Sequence, residues 1–424
     1  MTALCLVAQQ TPPSVGASQS APALPTAYTW QQVVDKFETA NPVLKADAIN
    51  VQEMKAEETT AYLRPNPQVT LSADGTQIAP NQNVWQPTSG TDVVPAISYL
   101  HERRHKRELR LASAQAGTQI AAAQHQDLER NLLFDLRSVF VQVLQAKAVL
   151  ELAHQELAYY DHIIDISRAR YKAGDIAQID LDRIELQRVQ YESDLQAAEV
   201  NLRTAKIQLL QLLNERTPVD RFDVTGPFEY AETLLPLEQY RQMALDARPD
   251  LRAALESIQQ ANINHKLAVA NGSTDPTFST WYTYNGSFNN PYDNHALGLS
   301  VSAPLRIFDR NQGEKQRTLL DIGRTQQVTD AARAQVFADV DSAYAQMDSN
   351  LALLRPYKEK YLAQAVRVRD TMTFSYQHGG ASLMDFLNAQ SDYRNVQLAY
   401  LQLIGAYLTA ASQLNLAVGR EVVQ

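Results

Sequence analysis

The residues of this chain best placed for chemistry are carboxylates, imidazoles and guanidinium groups at repeated or close spacings. Asp165 and Asp370 each stand six residues ahead of a tyrosine, Tyr171 and Tyr376, and are 205 residues apart (370 − 165), the offset that also separates the tyrosines. A carboxylate recurring at equivalent places acts through its charge, as rings of such groups do when they select cations. A solvated helix face is the plainer use of the same residues. His101 and His105 have the i, i+4 spacing that puts two side chains on one helical face. Five basic residues among positions 103 to 110 crowd that pair and repel a divalent ion, so no metal site is expected there. No nucleophile with a neighbouring base, glycine-rich phosphate loop or metal-ligand spacing occurs. Neither catalysis nor a resident cofactor is expected.

The elements that must position these residues are mostly helical. Glycine and proline number 15 and 18 in 424 residues, and they cluster. No proline falls between Pro95 and Pro218, and after Pro304 the sole proline is Pro356, so helices dominate both stretches. A net charge of −9 with no globally basic region excludes nucleic acid as the main partner. The single Cys5 rules out an internal disulfide framework. Met1–Ala8 reads as the back end of a secretory hydrophobic segment, and Gln9–Pro25, rich in Ser, Pro and Ala, as disordered, giving a leader over residues 1–28. Lipidation of Cys5 is not expected, because Leu4 stands where a small residue is wanted. No run of 18 apolar residues exists, so no transmembrane helix is expected.

One helical-hairpin pattern occurs twice, from Tyr171 to Leu213 and from Tyr376 to Val418. Tyr171/Tyr376, Gly174/Gly379, Asp180/Asp385 and Leu209/Leu414 are identical pairs, and apolar residues recur at steps of three and four along both copies, a heptad seam. The chain therefore reads as a duplicated half-molecule, 29–225 and 226–424. Each half starts from a cap or a first-turn proline, Thr29 with Gln32 and then Pro42 in the first half, Pro249 in the second. Period-two segments follow at about 68–74 and 92–100 in one half and 277–285 and 295–304 in the other, one β-hairpin per half. Helical hairpins follow at about 103–214 and 311–418, turned by Gly174 and by Gly379 with Gly380. Each rod of roughly 65 residues is roughly 100 Å long, and Pro356 is expected to bend the second. Asp180 and Asp385 suit the starts of the returning helices. Trp85, Trp281, Tyr282, Tyr284 and Tyr292 lie near hairpin ends, where an aromatic belt at a membrane interface sits, and Arg103, Arg104 and Arg306 mark the boundary on the helical side.

Four strands are too few to close around a channel. In a bilayer the two outer edges would each expose several unpaired N–H and C=O groups at several kcal/mol apiece, so another copy of the chain must pair them. Such an object is a tube standing on a membrane. The chain resembles the TolC-like outer-membrane efflux factor family from Thr29 to Gly419. The resemblance rests on the turns Arg170-Tyr171-Lys172-Ala173-Gly174 and Ser375-Tyr376-Gln377-His378-Gly379, on the helix start Ala247-Arg248-Pro249-Asp250-Leu251, and on the strand end Ala303-Pro304-Leu305-Arg306-Ile307-Phe308-Asp309-Arg310-Asn311-Gln312-Gly313. It implies a mainly α fold with a small β part: a homotrimeric α-barrel topped by a shared twelve-stranded transmembrane β-barrel in the outer membrane. It also implies passive export in a tripartite pump with a periplasmic adaptor and an inner-membrane transporter, often of the resistance-nodulation-division type. The tips around Tyr171, Gly174, Asp180, Tyr376, Gly379 and Asp385 would meet the adaptor, and Asp165 and Asp370 would line the constriction as six carboxylates. The competing readings are a periplasmic adaptor, which would need other strands around one hairpin, and a soluble coiled-coil scaffold, which would leave the strand alternation idle.

Overall fold

Two long helical hairpins and one small sheet make up most of the structure, a computed structural model that describes residues 26–80, 82–88, 90–231, 233–285 and 295–423. In chain order the elements are β1 (Thr26–Tyr28), α1 (Trp30–Ala40), α2 (Pro42–Tyr62), β2 (Gln68–Asp74), β3 (Asp92–Leu100), α3 (Lys106–Ala173), α4 (Gln178–Leu212) and β4 (Phe222–Val224). The second half continues as α5 (Leu237–Ala247), α6 (Pro249–Asn271), β5 (Thr277–Asn285), β6 (His295–Ser302), α7 (Gln312–Pro356), α8 (Leu362–Gln377) and α9 (Leu383–Val418). Cys5 and most of the expected leader, and the turn residue Tyr292, lie outside the described residues.

Helix α3 is a continuous rod of 68 residues, about 100 Å at 1.5 Å per residue. Its counterpart is interrupted. Pro356 has no N–H to give the carbonyl one turn back, and the chain widens into a π-turn over Tyr357–Tyr361 before α8 resumes. The helices that start at prolines are anchored differently in the two halves. Asn41 accepts the N–H groups of Val43 and Leu44 at 2.9 and 3.1 Å at the start of α2. At the start of α6, Arg248 is buried instead, bonding the carboxylates of Asp250 and Asp339 and the carbonyl of Ala417.

The expected leader is corrected at its end. Thr26–Tyr28 form β1, which pairs in parallel with β4, and Phe222 and Val224 of that ribbon are fully buried among Val33, Phe37, Leu136 and Leu209. A second core packs α5, α6, α7 and α9 around Tyr240, Leu251, Val340 and Leu414. Heptad positions thus close the hairpins, and each of these clusters knits one half, while the halves are fastened to each other where Val141 packs with Met347 and Ile404 and where Tyr160 and Tyr191 pack with Tyr376 and Phe386.

The two β-hairpins join into one antiparallel sheet of order β2-β3-β5-β6. Ladder pairing between β3 and β5 skips Val94 and Pro95, since proline brings no N–H to a neighbour. Strand β6 ends at Ser302, two residues short of expectation, ahead of Pro304. Helix α3 begins at Lys106 because Arg104 and His105 take left-handed φ values of 62° and 56° to turn the chain out of the sheet. That turn also corrects the premise that His101 and His105 share a helical face. His101 lies against Phe278, and His105 is at the exposed corner.

Candidate functional site

Strand side chains alternate between faces, and paired residues share one. The register therefore sorts the sheet. Val69 and Leu71 of β2, Val93 and Ile97 of β3, Phe278, Tyr282 and Tyr284 of β5, and Leu297, Leu299 and Val301 of β6 fall on one face. Leu71 is 72% and Leu299 76% exposed, so nothing among the described residues covers that face. The opposite face carries Gln68, Thr70, Ser72, Ser98, Thr277, Ser279, Ser300 and Ser302, the carboxylates Asp74 and Asp92, and Trp281. Among the described residues β2 and β6 each have a neighbour on one side only, so both outer edges of the sheet are unpaired there. Nine-residue strands such as β3 and β5 match the roughly 9–11 residues of a tilted membrane-spanning strand. Among the described helices none is long and apolar enough to cross a membrane.

Of the aromatic residues assigned to the membrane interface, Tyr282 belongs to the apolar face and Trp85 is half exposed in the loop between β2 and β3. Trp281 is corrected. Adjacent to Tyr282, it must point the other way, and its indole lies over Gly298 on the polar face.

At the helical end of the sheet Asp275 collects the cations. It accepts the backbone N–H of Arg103 at 2.9 Å and pairs with the buried ammonium of Lys106, with Arg306 nearby. Burial alone would raise its pKa; Lys106 and the Arg103 amide outweigh that and hold it below the usual carboxylate range. Arg110 grips Glu102 and reaches the carbonyls of Ala61 and Leu63, tying the corner to α2. The basic run of 103–110 is thus a strand-to-helix joint, with Arg104 supplying its left-handed turn. Asp275, missed in the sequence, was visible only as an acidic residue before Pro276.

The two tips repeat each other in backbone. Gly174 and Gly379 have φ values of 86° and 75°. The N–H of Asp175 bonds the Arg170 carbonyl, and that of Gly380 bonds the Ser375 carbonyl, so one closing bond is formed at equivalent positions. Side chains break the symmetry. Tyr376 is buried, stacked on Phe386 at 4.9 Å with the Arg170 guanidinium 5.2 Å from its ring, whereas Tyr171 is 40% exposed. Asp385 forms a reciprocal cap with Ser382; Asp180 faces Ala177, which has no hydroxyl to answer it.

Asp165 and Asp370 are both exposed, on α3 and α8, and neither touches the other. Each has a guanidinium close by, Arg168 at 3.8 Å from Asp165 and Arg369 at 2.8 Å from Asp370. Above them, where the two hairpins meet, Glu156 is buried with no hydrogen bond or ion pair among the described residues. Burial raises its pKa, and Arg369 and Arg394 only partly pull it back.

Comparison with known proteins places this geometry. The chain is 24% identical over 318 residues to the outer membrane efflux protein BepC of Brucella suis, covering 72% of this chain and 68% of BepC. It is 22% identical over 324 residues to the cobalt-zinc-cadmium resistance protein CzcC of Cupriavidus metallidurans, covering 74% of each. Among solved structures, the transmembrane channel CusC superposes with a TM-score of 0.79 at 16% identity over 95% of this chain and 96% of CusC. The open state of the MtrE outer membrane channel of Neisseria gonorrhoeae gives 0.74 at 16% identity over 98% of each chain. These likenesses establish a shared fold. The family described as outer membrane efflux protein matches residues 33–215 and 240–420, and with most of both halves inside its pattern the chain belongs to that family.

Proposed function

We propose that this outer-membrane efflux channel works as a homotrimer in which three four-stranded sheets close a twelve-stranded barrel and the helices continue it as a tunnel. The observation that carries the reading is the sheet, which combines an uncovered apolar face with two unpaired edges. Edge groups left unpaired in lipid cost several kcal/mol each, so closure by sister copies is the stable arrangement. A pore-free scaffold or an adaptor leaves the apolar face without a use. The two structural repeats, 29–225 and 226–424, then supply alternate staves of the helical wall.

Solutes pass without chemistry in the channel itself, delivered by an inner-membrane transporter through a periplasmic adaptor. The tip residues Tyr171, Gly174, Asp180, Tyr376, Gly379 and Asp385 form the surface that meets the adaptor. The exposed Asp165 and Asp370 line the constricted mouth and favour cations, their field softened by Arg168 and Arg369. Arg103, Arg104 and Arg306 sit at the inner boundary of the bilayer, Trp85 and Tyr282 within or beyond it.

Detergent extraction of outer-membrane fractions followed by a native mass measurement tests the assembly. A particle of three chains is expected, and a monomer soluble after a salt wash overturns the proposal. Single-channel recording of the Asp165→Ala, Asp370→Ala double variant tests the mouth: unchanged conductance and unchanged cation block remove those residues from it.

A further inference from the structure

We infer that Trp281 is a binding point for solutes inside the barrel, and that the class it holds is the organic cation with an aromatic or apolar body. The inference rests on the shared barrel proposed above, which makes the polar face of the sheet the lumen wall. Trp281 is the one large aromatic residue on that face among the described strands. Its neighbours across the sheet are Ala96 and Gly298, neither of which covers a ring. A Cβ at Gly298 would overlap the carbons of the Trp281 indole, so the ring lies flat along the wall with one face on the glycine. The other face is turned to the bore. Among the described residues the indole N–H has no hydrogen-bond partner and the ring no aromatic or cationic neighbour.

Charge selects the guest. The strands β2, β3, β5 and β6 contain no Lys or Arg, and the formal charges on the polar face are Asp74 and Asp92, which stand opposite each other in the ladder. One oxygen of Asp92 is buried without a partner. The pair lies four residues along the strand from Trp281, about 13 Å. A wall whose formal charges, among the described strand residues, are all negative concentrates cations, and an indole face attracts them through its quadrupole. A neutral aromatic solute gains stacking but none of the field, and an anionic one is repelled.

The test uses the full chain reconstituted in planar bilayers, with benzyltrimethylammonium as the probe, tetramethylammonium as the aliphatic control and benzenesulfonate as the anionic control. Benzyltrimethylammonium is expected to reduce the current at the lowest concentration. Trp281→Ala should raise its half-blocking concentration about fivefold, in line with a cation–π contact of order 1 kcal/mol. The same substitution should leave tetramethylammonium nearly unaffected, and Tyr282→Ala should change neither. Repeating the measurement in the Asp165→Ala, Asp370→Ala background should preserve the Trp281-dependent difference, which separates it from the distant mouth. Equal block of Trp281→Ala and the unmodified channel overturns the inference alone; absence of any conductance overturns the shared barrel, and the inference with it.

Discussion

Leu299 and Ser300 are neighbours in the middle of β6, yet they point to opposite sides of the sheet, so one substitution at each tests the two-faced wall directly. Leu299 lies on the apolar face, 76% exposed in the isolated chain. An arginine on the lipid face of a barrel costs roughly 2–4 kcal/mol at the midplane, while lumen positions tolerate charge. Every chain of a trimer carries the change, so Leu299→Arg should lose roughly 6–12 kcal/mol per assembly, enough to abolish a heat-resistant trimer. Ser300→Arg adds the same charge one residue away and should assemble near normally, altering ion selectivity instead. The assay is urea unfolding of protein folded into lipid vesicles, read by gel mobility without boiling and by tryptophan emission. If both variants assemble alike, or if Ser300→Arg is the damaging one, the assignment of faces is wrong and the barrel argument fails.

Removing Arg248 leaves Asp250 and Asp339 facing each other without their shared cation, so Arg248→Met should cost about 3–5 kcal/mol in unfolding measurements at neutral pH. Burial works to raise the Asp250 pKa, yet the bonds from Arg248 hold it below its ordinary value. Its contribution is therefore complete above the unfolded carboxylate range and lost as pH falls below about 4, where the variant and the parent should converge. Glu156 has the opposite sign: burial raises its folded pKa, so it weakens the fold above the ordinary glutamate range, and Glu156→Gln should raise the melting temperature at pH 7 but not at pH 4. At the tips, Ser382→Ala should cost about 1 kcal/mol and Ala177→Ser should return a similar gain, measured by hydrogen exchange over the first turns of α9 and α4.

Much of this architecture was legible because its signals are periodic or doubled. The 205-residue offset exposed the tips, where Gly174 and Gly379 do hold left-handed turns, and the alternation around Leu297–Ser302 marked a two-faced strand. The long proline-free stretches marked the helices and the alternation marked the membrane strands, while the resemblance supplied the family and its shared-barrel architecture. What escaped was short or relational. β1 and β4 are three residues each, too brief for any period, and their pairing joins residues almost 200 apart. The π-turn after Pro356 leaves no composition signal beyond the proline itself. Trp281 was grouped with Tyr282 by residue type, although a period of two already forbids adjacent residues from sharing a face. The basic run after β3 suggested a lipid boundary, but its internal partners, Asp275 and Glu102, are fixed by tertiary packing.

The ladder between β3 and β5 has a consequence for how the ring is put together. Because the two hairpins are already zipped to each other inside each polypeptide, n chains meet at n seams and not at twice that number. In the proposed barrel every seam then joins β2 of one molecule to β6 of the next. Neither strand carries the lysine, proline or bulge that usually blunts an open margin. A lone molecule is therefore open at both flanks, and in the proposed ring those flanks are closed only by sister copies.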